Sequence, residues 1–201
     1  MKKLPVSFYR RKNVVQIAKE LLGKIIVTTF EGKLTSGRIT ETEAYVGITD
    51  KASHSFNNRR TARNEHMYSD AGIAYVYICY GMHQMLNIVT NDKDVPDAVL
   101  IRAIEPIEGI DIMLKRTGKK ELDYTLTRGP GNVGKALGIF KLHSGTDLNG
   151  EKIYILDDES GLSEQKIGIS QRIGVESAAP DNLLPYRFYI RGNKYVSGKN
   201  R

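Results

Sequence analysis

Tryptophan is absent and cysteine occurs once, at Cys79. A lone thiol cannot close an internal disulfide, which agrees with a reducing compartment. No apolar run approaches the ~18 residues of a membrane-spanning helix. The basic opening M-K-K-L-P-V-S-F-Y-R-R-K has no apolar signal core after it. A cytosolic protein without membrane attachment is therefore expected. No repeat, low-complexity tract or Pro/Ser-rich linker divides the chain. The templates G-x-S-x-G, H-E-x-x-H and C-x-x-C are missing too, so the hydrolases and metal sites they mark find no support.

What is present is enough for one folded domain spanning residues 1–201: 40% of the 201 residues are hydrophobic, and they are spread along the chain. Lysine and arginine outnumber the acidic residues, 30 to 23, and the net charge is +7. Such a balance is a footprint of nucleic-acid or anionic-surface binding, or simply of a soluble surface. The basic residues cluster at the N-terminus (Lys2, Lys3, Arg10, Arg11, Lys12), at Arg59, Arg60 and Arg63, and near the C-terminus (Arg187, Arg191, Lys194, Lys199, Arg201).

Apolar residues at helical spacing predict a helix over Asn13–Leu22, stopped by Gly23. Strands are expected at Ile25–Phe30 and Ser36–Val46, and at Ala74–Cys79 and Leu86–Thr90 around a tip containing Tyr80-Gly81. A strand Val99–Ile104, a helix Ile107–Lys115, a helix at about 132–137 and late strands Ile153–Leu156 and Arg187–Arg191 complete the reading. Strands mostly follow strands, which points to an α+β domain with an antiparallel sheet.

Glu41, Glu43 and Tyr45 alternate along one predicted strand, so they share a face with Ile39. That is either a solvated strand face or a site in which one carboxylate acts as a general base beside an aromatic stacking surface. Close carboxylates raise each other's pKa, which brings a base nearer neutrality. The polar stretch around His54, Asn57, Asn58, Arg59 and Arg60 reads as a binding loop. With no cysteine or second histidine close by, zinc is not expected there. Tyr75, Tyr77 and Tyr80 alternate with aliphatics; Val76 and Ile78 are expected to face the core. A cross-strand aromatic ladder would account for Tyr75 and Tyr77. Tyr80 and Met82 at a tip are what a wedge into the minor groove requires. The run Gly129 to Ala136 mimics a phosphate-binding loop, but Ala136 stands where a P-loop needs Ser or Thr for magnesium. Its helix N-terminus could still hold a DNA phosphate.

Several longer stretches, in order, resemble the alkyladenine (3-methyladenine) DNA glycosylases: I-T-E-T-E-A-Y-V-G, A-S-H-S, Y-V-Y-I-C-Y-G-M, N-I-V, V-L-I-R-A-I-E-P, G-P-G-N-V-G-K-A-L, Q-R-I-G-V and R-F-Y-I-R-G-N. The resemblance implies a mixed domain around a curved antiparallel sheet with peripheral helices. It implies an enzyme without cofactor or metal that flips a damaged purine from duplex DNA and hydrolyses its bond to deoxyribose. Glu43 matches the general base, Arg102 and the Ile173 carbonyl the groups that hold the water. Tyr45, His54 and Tyr77 match the walls around the flipped base, Asn87 the residue that screens purines, and Tyr80 the wedge. Met82, Arg59, Thr61, Arg63, Gly131, Asn132 and Lys135 are expected on the DNA-facing surface. Asn132 and His83 depart from the vertebrate members, which carry lysine and tyrosine there. A monomer repairing bacterial nucleoid DNA in the cytoplasm is the expectation. The alternatives are a non-catalytic nucleic-acid-binding module and a carbohydrate hydrolase using Glu41 and Glu43; the basic charge and the missing tryptophan argue against the latter.

Overall fold

Strand β3 (Lys33–Tyr45) organises the molecule. In the computed structural model, which describes residues 1–198, it is longer than the neighbours on one of its edges and takes them in succession. Its first half pairs with β2 (Ile25–Phe30), and its second half with β9 (Arg187–Ile190). Its other edge carries β6 (Asp97–Glu108). The register between β3 and β6 shifts on either side of Glu41. Such a bulge bends a strand and re-aims its side chains.

Outward from these strands lie β1 (Lys2–Lys3), β4 (Ala74–Cys79), β5 (His83–Thr90), β7 (Ile153–Asp157) and β8 (Ile167–Ser170). One path through the sheet runs β1-β7-β2-β3-β6-β5-β4, with β9 on β3 and β8 on β9. Every pairing is antiparallel. The fold is thus α+β around one antiparallel sheet.

Helix α1 (Val6–Tyr9) precedes α2 (Val14–Glu20), whose N-terminus is capped by the Asn13 side chain accepting from the Gln16 N–H at 3.0 Å. Val14, Ile17, Ala18, Leu21 and Leu22 of this segment are buried against the core. Each of the valine, isoleucine and leucine side chains contributes roughly 1.5–3 kcal/mol of burial. Helices α3 (Ile110–Thr117) and α4 (Pro130–Leu137) pack against each other. A Cβ at Gly134 would lie 2.1 Å from the Gln84 carbonyl, so only glycine lets α4 lie this close to β5. Among the described residues no helix is long and apolar enough to cross a membrane.

The structure corrects the reading of 107–115. Ile107 and Glu108 are the last residues of β6, Gly109 turns the corner with φ +71°, and α3 starts at Ile110. Two short strands, β1 and β8, and helix α1 had no reading. Ile78 is exposed rather than in the core, whereas Val76 is fully buried. Of the C-terminal basic cluster, Lys199 and Arg201 lie outside the described residues. Arg187 is not on the surface at all: it is buried beneath β3 residues.

Candidate active site

A cavity of about 520 Å³ opens where the C-terminal end of β3 meets β4, β5 and β6. Tyr45, His54, Tyr77, Asn87, Arg102 and Ile173 all line it. The structure therefore gathers these six predicted residues from six segments of the chain. Met67, Met85, Ala98 and Leu100 add apolar surface.

His54 sits on the loop after β3, with its ring edge-on to Tyr77 at 4.5 Å between centroids. Its Nδ1 lies 2.9 Å from the Tyr75 hydroxyl, and its carbonyl accepts from Asn64 Nδ2 at 3.1 Å. The residue remains open to solvent at the rim, but its ring is packed against the wall. Desolvation there, with Arg63 and Arg59 nearby, pushes His54 down to about 4. It is neutral at pH 7. Burial pushes Tyr77 up to about 12, so its hydroxyl keeps its proton. Asn87 commits both amide protons, to the Tyr75 carbonyl (3.2 Å) and the Met85 carbonyl (3.3 Å). The oxygen is what remains for a ligand.

Behind the cavity lies a layer of buried charge. Glu41 and Glu43 are both fully buried, which excludes the solvated strand face. Arg102 bridges them, Nε donating to Glu41 at 3.1 Å and Nη1 to Glu43 at 3.2 Å. The guanidinium thus separates two carboxylates that would otherwise repel. Burial alone would lower Arg102, but Glu43 and Glu41 outweigh it and hold it above its ordinary range.

The two glutamates differ in their partners. Glu41 accepts from Arg102 Nε, from Arg187 Nε at 2.6 Å, and from the Ser197 N–H (2.8 Å) and hydroxyl (2.9 Å). A carboxylate offers about four acceptor positions; Glu41 receives four bonds, three on Oε1 and one on Oε2, and two of its donors, Arg187 and Ser197, stand away from the cavity lining. Among the described residues Glu43 accepts three bonds: from Ile173 N–H at 2.8 Å, the Tyr45 hydroxyl at 3.0 Å and Arg102 Nη1. All three donors line the cavity. Glu43 therefore stands directly behind the cavity wall with one acceptor position uncommitted. Tyr45 is raised well above the usual phenol range, first by burial and then by Glu43, so it remains a donor.

At the mouth, Tyr80 occupies the β4–β5 tip with φ +50° and is 85% exposed, beside exposed Met82. Arg63 lines the cavity and donates to the Ile78 carbonyl at 3.3 Å. Arg59 is exposed, and Thr61 donates from both its N–H and its hydroxyl to Asn64 Oδ1. Gly131 is pressed onto the tip strand, since a Cβ there would lie 2.6 Å from the His83 ring. The Asn132 amide folds back onto the Thr125 and Arg128 carbonyls. Lys135 lies apart, on the last turn of α4, donating to the Thr117 carbonyl of α3. Arg60 is engaged with Glu65 and Asp94. Sequence reasoning missed Arg187, Ser197 and the buried pair of Arg172 with Asp50. Their partners are distant in the chain and no local pattern marks them. No group of three or more His, Cys, Asp or Glu side chains among the described residues is placed to hold a metal.

Comparison with known proteins finds that the family described as "Methylpurine-DNA glycosylase (MPG)" matches residues 7–194. A protein of Clostridium novyi (strain NT) is 48% identical over 206 residues, covering 99% of this chain and 100% of its own. One from Chlamydia abortus (strain DSM 27085 / S26/3) is 48% identical over 189 residues, covering 93% and 97%. One from Bacillus licheniformis (strain ATCC 14580) is 44% identical over 195 residues, covering 96% of each. All three carry the name "Putative 3-methyladenine DNA glycosylase".

Proposed function

The chain belongs to the methylpurine-DNA glycosylase family of DNA repair enzymes, and from that premise we propose that it excises alkylated or deaminated purines from duplex DNA through a water activated by Glu43. The observation that carries this reading is the contrast between the two buried glutamates. Glu41 takes four donors, and Arg187 and Ser197, which supply three of them, do not line the cavity; Glu43 takes three donors that all line it and keeps an acceptor position behind it.

A target base inside a duplex hides its glycosidic bond, so it must be extruded. Tyr80, exposed at the tip, fills the gap that the base leaves and offsets part of the unstacking cost. The extruded purine lies among Tyr45, His54 and Tyr77, with the Asn87 oxygen facing its edge. As C1′ gains oxocarbenium character, the Glu43 carboxylate stabilises the charge and takes the proton of the attacking water. Arg102 and the Ile173 backbone hold the reacting groups. The basic loop with Arg59, Thr61 and Arg63 and the α4 N-terminus at Gly131 meet the phosphates, joined by Asn132 and Lys135 where the duplex extends along α4. The enzyme works as a monomer on bacterial nucleoid DNA.

His54, at about 4, carries no spare proton at pH 7. Lesions that are already cationic while attached to the sugar, such as 3-methyladenine and 7-methylguanine, leave as neutral bases without a proton and are therefore released faster than hypoxanthine or 1,N6-ethenoadenine. No lysine among the described residues lines the cavity, so the product is an intact strand with an abasic site, not a Schiff-base cleavage. The test is incubation with duplexes carrying each of the four lesions, with and without alkali. Strand breaks that appear only after alkali are expected. No break with any lesion, despite tight duplex binding, would mean a non-catalytic binding module instead.

A further inference from the structure

Arg172 has no part in the chemistry above, yet its side chain is fully buried, it lies against the cavity-lining Tyr45, and its chain neighbour Ile173 lines the cavity too. Its fork grips Asp50: Nη1 donates to Oδ2 at 2.5 Å and Nη2 to Oδ1 at 2.8 Å. The same two nitrogens donate to the Ala44 carbonyl (2.9 Å) and the Asp181 carbonyl (3.1 Å). The guanidinium plane lies 4.8 Å from the ring centre of Tyr45 and 5.4 Å from that of Tyr186. Asp50 also accepts from the Val46 and Ala52 N–H groups, so its loop is wound around the ion pair.

This arrangement joins two lips of the cavity. One is the loop ending in Ala52, Ser53 and His54; the other is Ile173, Gly174 and Val175. Lys51 adds two ties between them, its N–H to Asp181 Oδ2 at 2.8 Å and its Nζ to the Ala179 carbonyl at 3.2 Å. Arg172 directly precedes Ile173, whose N–H donates to Glu43, and it supports the ring of Tyr45, whose hydroxyl does the same. Two of the three donors on Glu43 thus depend on where one guanidinium sits.

We propose that Arg172, locked by Asp50, is a positioning residue that sets the Ile173 N–H and the Tyr45 hydroxyl on Glu43, and so governs the excision step. The proposal rests on Glu43 being the base. A lysine at 172 would keep the charge but could neither fork onto Asp50 nor stack on two rings. An ångström-scale displacement of a reacting group costs up to about 100-fold in rate.

The experiment is single-turnover excision of 3-methyladenine from duplex DNA, with protein in excess, by wild type, Arg172→Lys, the double variant Arg172→Met/Asp50→Asn, and Glu43→Gln. The double variant leaves no unpaired buried charge, which protects the fold. The saturating rate constant of both Arg172 variants is expected to fall about 10- to 100-fold, while the concentration giving half the maximal rate changes less than about threefold. A merely structural defect would instead lower the fraction of active protein, seen as lost amplitude in an active-site titration at unchanged rate constant. That outcome, or a wild-type rate constant in both variants beside an inactive Glu43→Gln, would overturn the positioning role. An active Glu43→Gln would instead overturn the base on which it rests.

Discussion

Replacing each buried glutamate by glutamine in turn separates chemistry from architecture. Glu41→Gln places a neutral amide against Arg102, Arg187 and the two Ser197 donors. The amide NH₂ cannot accept, so at least one donor loses its partner, and Arg187 loses the carboxylate it pairs with, while Arg102 keeps Glu43. Removing one partner from a buried ionic group costs about 3–5 kcal/mol. For a chain of this length each kcal/mol lowers the melting temperature by about 2–4 °C, so a fall on the order of 6–20 °C follows. Glu43→Gln is milder. Arg102 keeps Glu41, and the Tyr45 hydroxyl can turn to accept from the new amide, leaving one mismatched contact at about 1–3 kcal/mol. Its rate loss is the larger effect, because glutamine takes no proton; general-base contributions run at about 10²–10⁴-fold. Single-turnover excision below both melting temperatures, beside thermal unfolding, reads the two effects separately. The reasoning fails if folded Glu41→Gln is as inactive as Glu43→Gln, or if Glu43→Gln excises within about tenfold of wild type.

Tyr80→Ala should slow excision of a lesion in a stable pair by roughly 5- to 150-fold, if the lost contact resembles other base–aromatic stacks of ~1–3 kcal/mol. A bulged lesion is already partly unstacked and should lose less; equal losses would mean that Tyr80 is no wedge. Asp97→Asn should stabilise the fold near pH 7.5. Burial, with the charge of Asp50 adding to it, pushes Asp97 up to about 6 against the hydrogen bond from Asn91. The unfolded chain titrates this group near 3.8, so the folded form binds more protons between about pH 4 and 6, and wild-type stability falls as pH rises through that window. Asparagine removes this penalty, about 2–3 kcal/mol above pH 6 at ~1.4 kcal/mol per unit. Calorimetry should show a higher melting temperature at pH 7.5 and no advantage below pH 4; an advantage independent of pH would assign it to something other than ionisation.

The parts of the fold legible in the sequence were those with a local signature. Helix α2 has apolar residues at helical spacing and the Asn13 cap, and the β4–β5 hairpin has alternation around a tip at Tyr80-Gly81. The misreading of 107–115 has the same origin. Ile107, Ile110 and Leu114 fall on one helical stripe, so the end of a strand and the start of a helix merged into one apparent helix. Gly109 separates them because a Cβ there would lie 2.2 Å from the Leu34 carbonyl, a long-range contact that local spacing does not encode. Strand β1 has two residues and β8 has four, too few for a period to appear.

The site divides along the same line. The cavity walls were found from motifs, but motifs did not distinguish two buried glutamates from a wet strand face. That distinction lies in Arg102 and Arg187, which are 61 and 146 residues from Glu41 and which neutralise it from β6 and β9. Arg187 looked like a surface cation in a basic C-terminal cluster, because a sequence shows the charge of an arginine but not the carboxylate that buries it. The irregular register around Glu41 matters for the same reason: it interrupts the β3–β6 ladder where Arg102 must reach both carboxylates. A strand of strict alternation would have predicted which residues share a face; it would not have predicted that one of two neighbouring carboxylates takes most of its donors from outside the cavity while all the donors of the other line it. That asymmetry comes from Ser197, near the end of the described chain, giving Glu41 two donors that Glu43 does not receive.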